Sequence, residues 1–153
     1  PNLPFTFKRP ADWTVQTQAQ LTDQSSESLG SFGMTLYAPG TLEEGSGYGG
    51  TQLRAGATIV VSVNAKPDYK SIDAYSGSGF DAINREKTNV TVAGQPAVEY
   101  LYAFEGPRRI YTHFFKDGKQ YTLYYETRWN EQNLKTGDNY KVYQDLVKSF
   151  TLK

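Results

Sequence analysis

Residues 108–129 read "RRIYTHFFKDGKQYTLYYETRW". An Asp-Gly pair between two runs that alternate in polarity is the strongest short-range sign of a β-hairpin, because a type I′ turn needs left-handed backbone at both central positions. With Asp117-Gly118 as the loop, Lys116 faces Lys119, and every pair further out follows. The two-residue period of a strand then sorts the side chains. Ile110, Thr112, Phe114, Tyr121, Leu123, Tyr125 and Trp129 fall on a core face. Arg109, Tyr111, His113, Phe115, Gln120, Thr122, Tyr124, Glu126 and Arg128 fall on the other. On that second face Arg109 opposes Glu126, Tyr111 opposes Tyr124 and His113 opposes Thr122. Cross-strand pairs of this kind each stabilise a sheet by about 0.2–1 kcal/mol, so packing alone accounts for the residues there. The rival reading is functional. Arg109, Tyr111, His113, Phe115, Tyr124 and Arg128 are the candidate binding surface, since aromatics beside arginine are what interface centres favour.

Working outward, the chain before the hairpin supplies more strands. "NVTVAGQPAVEYLYAFEG" (89–106) reads as two strands joined by "AGQP", so that four strands in all are joined by "AGQP", "EGPR" and "KDGK". "ATIVVSVNA" (57–65) is apolar on both faces and reads as a central strand. Near the start, Phe5 and Phe7 alternate before Pro10, then Trp13, Val15, Thr17, Ala19 and Leu21 alternate again, with Asp12 expected to cap the intervening turn. Phe32, Met34 and Leu36 mark a third strand. Residues 38–56 hold six of the 14 glycines and read as a long mobile loop. Its "GSGYGG" lacks the Lys-Ser/Thr of a phosphate-binding P-loop. Two segments change period. Ser71 is a good helix N-cap, with Ile72, Tyr75, Gly79 or Phe80, and Ile83 at helical spacing after it. Tyr140, Tyr143, Leu146 or Val147, and Phe150 form the apolar stripe of a C-terminal helix whose start Gly137 or Asp138 can cap.

Composition narrows the function classes. At 153 residues the chain fits one domain, spanning 1–153. Leu, Ile, Val and Phe are only 32 of those residues, while there are 12 Tyr, so tyrosine must supply part of the core. The 16 basic and 16 acidic residues are interspersed, without the basic stripe of a nucleic-acid binder. The chain has no cysteine, which excludes disulfides, thiolate metal sites and cysteine nucleophiles. No apolar run is long enough to span a bilayer. His113 is the single histidine. As a catalytic base it would need a nucleophile and an orienting acid beside it. No metal site and no cofactor is expected.

Set in order, "FTFKRPADWTV", "IVVSVNA" before a helix, "VTVAGQPAVEYLY", the aromatic meander and "VYQDLVKSFTL" resemble the PsbP-like fold family. That family takes in an extrinsic photosystem II protein and bacterial envelope lipoproteins, and a nuclear import factor shares the fold. The most specific parts are Pro-Ala-Asp-Trp at 10–13, Val-Ala-Gly-Gln-Pro-Ala at 92–97 and Ser-Phe at 149–150. The resemblance implies an α+β fold, a mainly antiparallel sheet packed with helices as an α/β/α sandwich. It also implies a non-catalytic accessory role, binding a protein or small ligand in the cell envelope. The expectation is therefore a monomeric, extracytoplasmic domain, periplasmic or cell-surface, whose leader has been removed and whose full-length chain carries a lipid anchor. The alternatives are a hydrolase using His113 and a cytosolic protein-interaction module.

Overall fold

The computed structural model describes residues 3–18, 32–45, 51–76, 84–102, 108–128, 131 and 133–153. In chain order these form β1 (Phe5–Thr6), β2 (Thr14–Gln18), β3 (Phe32–Tyr37), β4 (Leu42–Gly45), β5 (Thr51–Ala55), β6 (Ala57–Asn64), α1 (Ile72–Ser76), β7 (Asn84–Val92), β8 (Gln95–Tyr102), β9 (Arg109–Lys116), β10 (Lys119–Thr127), α2 (Gly137–Ser149) and β11 (Thr151–Leu152). A seven-stranded sheet in the order β2-β3-β6-β10-β9-β8-β7 is antiparallel throughout. The described residues thus form a mainly antiparallel sheet with two helices.

The hairpin forms in the expected register. Lys119 pairs with Lys116, Tyr124 with Tyr111 and Glu126 with Arg109. Asp117 and Gly118 both take positive φ, 50° and 71°, as a type I′ turn demands. Ala93 and Gly94 repeat that geometry between β7 and β8, with φ of 50° and 74°. The doubly apolar stretch lies in the middle of the sheet as β6, paired with β3 on one side and β10 on the other.

One face of this sheet carries the main core. Met34, Leu36, Ile59, Val61, Ile110, Phe114, Leu123 and Tyr125 are buried there with Trp13 and Phe150. α2 lays Tyr143 and Leu146, both fully buried, onto that face. Burying a phenol without a partner is costly. Tyr143 avoids the cost, since its hydroxyl lies 2.6 Å from Thr112 Oγ1. This accounts for a threonine, itself 0% exposed, among the apolar residues of β9. Trp129, expected on this face, lies outside the described residues, as do Phe80 and Ile83, expected in the first helix, and Ala19 and Leu21, expected in the second strand.

Several expectations need correction. Residues 42–45 and 51–55 are strand rather than loop: β4 pairs with β5, and Leu53 is buried, while 46–50 lie outside the described residues. Glycine density masked a short strand whose single inward apolar residue leaves no visible period. The closure of this hairpin depends on Gly56, at φ 78°, where a Cβ would come within 2.6 Å of the Thr41 backbone. Thr41 Oγ1 there donates to the carbonyls of Ala38 and Ala57, 2.7 and 3.0 Å away. The turn before Trp13 is held not by Asp12 but by Arg9, whose Nη1 donates to the Pro10 and Trp13 carbonyls. The residue preceding α2 is Thr136, and its hydroxyl donates back to Asn133 O rather than capping the helix. Ser71 does cap α1, accepting from the Ala74 N–H at 3.2 Å. An unanticipated strand, β11, pairs with β1 and brings the two ends of the chain together.

Trp13, 4% exposed, is part of the main core. Trp13→Ala should lower the unfolding free energy by about 3–5 kcal/mol. Urea denaturation followed by circular dichroism measures this, and an unchanged midpoint would show that the indole contributes no packing.

Candidate binding face

The other face of the sheet is built in rungs, because directly opposed residues of neighbouring strands point the same way. One rung runs Tyr37, Thr58, Glu126, Arg109, Tyr102 across β3, β6, β10, β9 and β8. The next runs Thr35, Val60, Tyr124, Tyr111, Tyr100, Lys87, reaching β7. A third runs Gly33, Ser62, Thr122, His113, Val98, Asn89.

Part of this face is covered. α1 places Tyr75, with Ile72 beside it, over Val98, Tyr100 and Phe115 as a second, smaller core. His113 lies under it, 5% exposed. The Tyr75 hydroxyl is 3.2 Å from His113 Nε2, and Thr122 Oγ1 is 3.0 Å from Nδ1. Burial lowers the His113 pKa to about 4. The residue therefore belongs to the interior of this layer rather than to its surface. Phe115, half-buried, packs beside Tyr75 with ring centroids 6.1 Å apart.

The rest of the face is half-open. Thr35, Val60, Ser62, Thr122, Tyr124, Tyr111 and Tyr102 are all half-buried. Tyr111 and Tyr124 pack with centroids 5.2 Å apart, and Tyr102 meets Tyr111 edge-on at 6.2 Å. Arg109 stacks its guanidinium over Tyr124 at 5.5 Å from the centroid. Its Nε donates to Glu126 Oε2 at 2.5 Å. For Arg109, burial opposes the charged form, but the hydrogen bond and charge of Glu126 outweigh it and raise the pKa. For Glu126, 5% exposed, burial outweighs the attraction of Arg109 and raises the pKa. The two directions pull the pair toward different states. The short contact decides between them: a guanidinium never loses its proton in this range, and at that distance it keeps the carboxylate charged at neutral pH. Tyr124 is pushed up to about 12, chiefly by burial, so its phenol stays neutral and able to donate. At the rim, burial and the Glu43 charge raise Tyr37 in the same way.

The structure thus brings Arg109, Tyr111 and Tyr124 together, keeps Phe115 and His113 under or beside α1, and separates Arg128. β10 ends at Thr127. Arg128 turns to Glu131, with Nε 3.2 Å from Oε2, in a recess of about 310 Å³ that also touches Asn133 and Thr136. Tyr37, Val60, Tyr75 and Tyr102 belong to the site and were not singled out from sequence. Alternation could have found Tyr37, which lies out of phase with Phe32, Met34 and Leu36. Among the described residues, no group of three or more His, Asp or Glu is placed to hold a metal ion. No described helix is long and apolar enough to cross a membrane.

No protein-family model matches the chain, and no curated protein matches its sequence.

Two outcomes follow from this geometry. In a double-mutant cycle with Tyr111→Ser and Tyr124→Ser, the coupling energy should be about 0.5–1 kcal/mol. A value near zero would mean that the rings do not support each other. The second concerns pH. The folded-state pKa of His113, about 4, lies below its ordinary 6.5, so on acidification the unfolded chain takes the proton first. Stability from the neutral, buried imidazole is complete above about pH 6.5 and drains away as the pH falls toward 4, by up to about 3 kcal/mol. Glu126 and Glu99, both raised by burial, act in the opposite sense. The difference in stability between wild type and His113→Gln isolates the histidine. That difference should shrink on acidification through this window, and a flat difference would show that His113 titrates as if in water.

Proposed function

We propose that this chain is a non-catalytic binding domain of the bacterial cell envelope, with the half-open strip around Tyr111 and Tyr124 as its receiving face. One observation carries the reading. β9 and β10 lie inside the seven-stranded sheet, and their core-side residues are buried, yet on the opposite side two tyrosines remain half-exposed. They are held by each other and by Arg109, which is itself anchored to Glu126. Rigid aromatic rings lose little conformational freedom on binding, so they give contact area at low entropic cost. The occupant we propose is a protein segment or small ligand offering an apolar or aromatic surface, bound by a monomer.

The burial of His113 favours this reading over a hydrolase. Both ring nitrogens are engaged inside the α1 layer, and its lowered pKa makes it a weak base near neutrality. The extracytoplasmic setting, the lipid anchor on the full-length chain and the PsbP-like α/β/α arrangement rest on the resemblance in order of elements. They are in keeping with a sheet that carries α2 on one face and α1 on the other. The start of the complete gene tests the anchor: a leader ending in a lipidated cysteine supports it, and a cytosolic start overturns it.

For the binding face, amide chemical shifts recorded against a library of aromatic fragments should move at β6, β9 and β10, around Val60, Tyr111 and Tyr124. Tyr111→Ser should weaken those contacts by about 2 kcal/mol where the ring is a hot spot. Shifts confined to the α2 side of the molecule would overturn the assignment.

A further inference from the structure

A second surface lies where the chain's two ends meet, away from the tyrosine strip. The pairing of β1 with β11, and the bond from the Lys153 N–H to the Pro4 carbonyl, run residues 8–10 along the end of α2. The Lys8 N–H donates to Ser149 Oγ at 2.8 Å, and that hydroxyl donates to the Leu146 carbonyl at 3.1 Å. Between these segments is a recess of about 560 Å³. Among the described residues, its walls carry three cations, Lys8, Arg9 and Lys148, and one carboxylate, Asp145, with Pro10 and Val142 as the apolar part.

Among the described residues, no carboxylate pairs with the positive charge there. Arg9 is fixed by two backbone carbonyls, which orient the guanidinium without cancelling its charge. Among the described residues, Lys8 and Lys148 have no carboxylate within ion-pair distance, whereas Arg109 and Arg128 each have one and Lys135 has two. In a chain of zero formal net charge, the described residues that line the recess carry an excess of two positive charges.

We infer that this recess is a binding site for a small phosphate monoester. The volume falls in the range of small-ligand pockets, roughly 300–1,000 Å³. A phosphate monoester carries about −1.5 to −2 charges at neutral pH, which matches the local excess. Lysine ammonium groups bind phosphate as point charges, and a guanidinium presents a fork of donors to its oxygens. Pro10 and Val142 give the ligand's carbon skeleton an apolar wall. Among the described lining residues, Asp145, on the same stretch of helix as Lys148, opposes the ligand's charge. A soluble organic phosphate and the headgroup of a phosphatidate lipid share this chemistry.

The test uses sn-glycerol 3-phosphate as the soluble probe, with glycerol as the neutral control, and amide chemical shifts as the readout. Saturable shifts are expected at residues 8, 9 and 142–149, weakening as added salt screens the exposed charges. Lys8→Ala with Lys148→Ala should weaken binding by about tenfold or more, since two charge-assisted contacts are lost. Asp145→Asn should tighten it several-fold. Sedimentation with phosphatidate-containing and pure phosphatidylcholine vesicles separates the two sources. Binding to phosphatidate vesicles without the soluble shifts assigns the site to a lipid headgroup, and saturable soluble binding assigns it to a free metabolite. Absence of both, or affinity indifferent to the lysine substitutions, overturns the proposal. If the double substitution lowers the melting temperature, Asp145→Asn decides alone, and unchanged or weaker affinity overturns it.

Discussion

The Asp117-Gly118 turn is the constraint on which the rest depends. A two-residue loop with both φ positive allows one pairing of β9 with β10, and because side chains alternate, a slip of one residue would exchange the two faces of a strand. Leu123 and Tyr125 would leave the core, and Tyr124 and Glu126 would enter it. The register also puts Thr112 where the Tyr143 hydroxyl can reach it and His113 where Thr122 can. Two buried polar groups on opposite faces are therefore satisfied by one turn. The matching Ala93-Gly94 turn sets β7 on β8 in the same manner. A non-glycine residue at positive φ is uncommon and costs energy, which Asp117 bears more easily than Ala93, because a short polar side chain tolerates the left-handed region.

A core poor in aliphatics needs tyrosine, and tyrosine brings hydroxyls that must be placed. Tyr143 settles the matter inside the main core, with Thr112 and the Leu123 carbonyl as neighbours. Tyr75 does so in the smaller core, through His113. Histidine is a fitting partner in a dry layer because its neutral ring offers one donor and one acceptor. Its lowered pKa is the electrostatic counterpart of that role: the charged form would have to be desolvated under α1, with the carboxylate of the face, Glu126, already committed to Arg109.

How far the sequence foretells this structure depends on whether a feature is local. The hairpin register, the central position of β6, the Ser71 cap and the α2 stripe are all carried by residues a few positions apart, and each could be read. The covering of His113 could not. It depends on Tyr75, nearly forty residues earlier, in a helix of only five residues, and no local pattern in "RRIYTHFFK" distinguishes a histidine under a helix from one in water. The β4–β5 pair escaped notice for a different reason. Its strands carry one buried apolar side chain, Leu53, among glycines and charges, so the period of two has nothing to act on. For Arg128 the parity of the strand was sound but the strand was shorter than it looked: it ends one residue earlier, and Glu131 captures the guanidinium.

The same geometry limits what the tyrosine strip can accept. Arg109 is held on both sides, by Glu126 and by the Tyr124 ring, and its charge is largely spent within the protein. The strip therefore offers π-faces, the Tyr124 phenol and small side chains such as Thr35 and Ser62, rather than a free cation. Nearby, Glu43 makes its charge felt at both Tyr37 and Glu126. An anionic partner approaching from that side would meet repulsion, and a neutral or weakly cationic one would not. The recess between Lys8 and Lys148 has the opposite preference. The two surfaces differ in charge as well as in place, so a phosphate-bearing ligand and an aromatic or apolar partner would sort themselves between the two without competing.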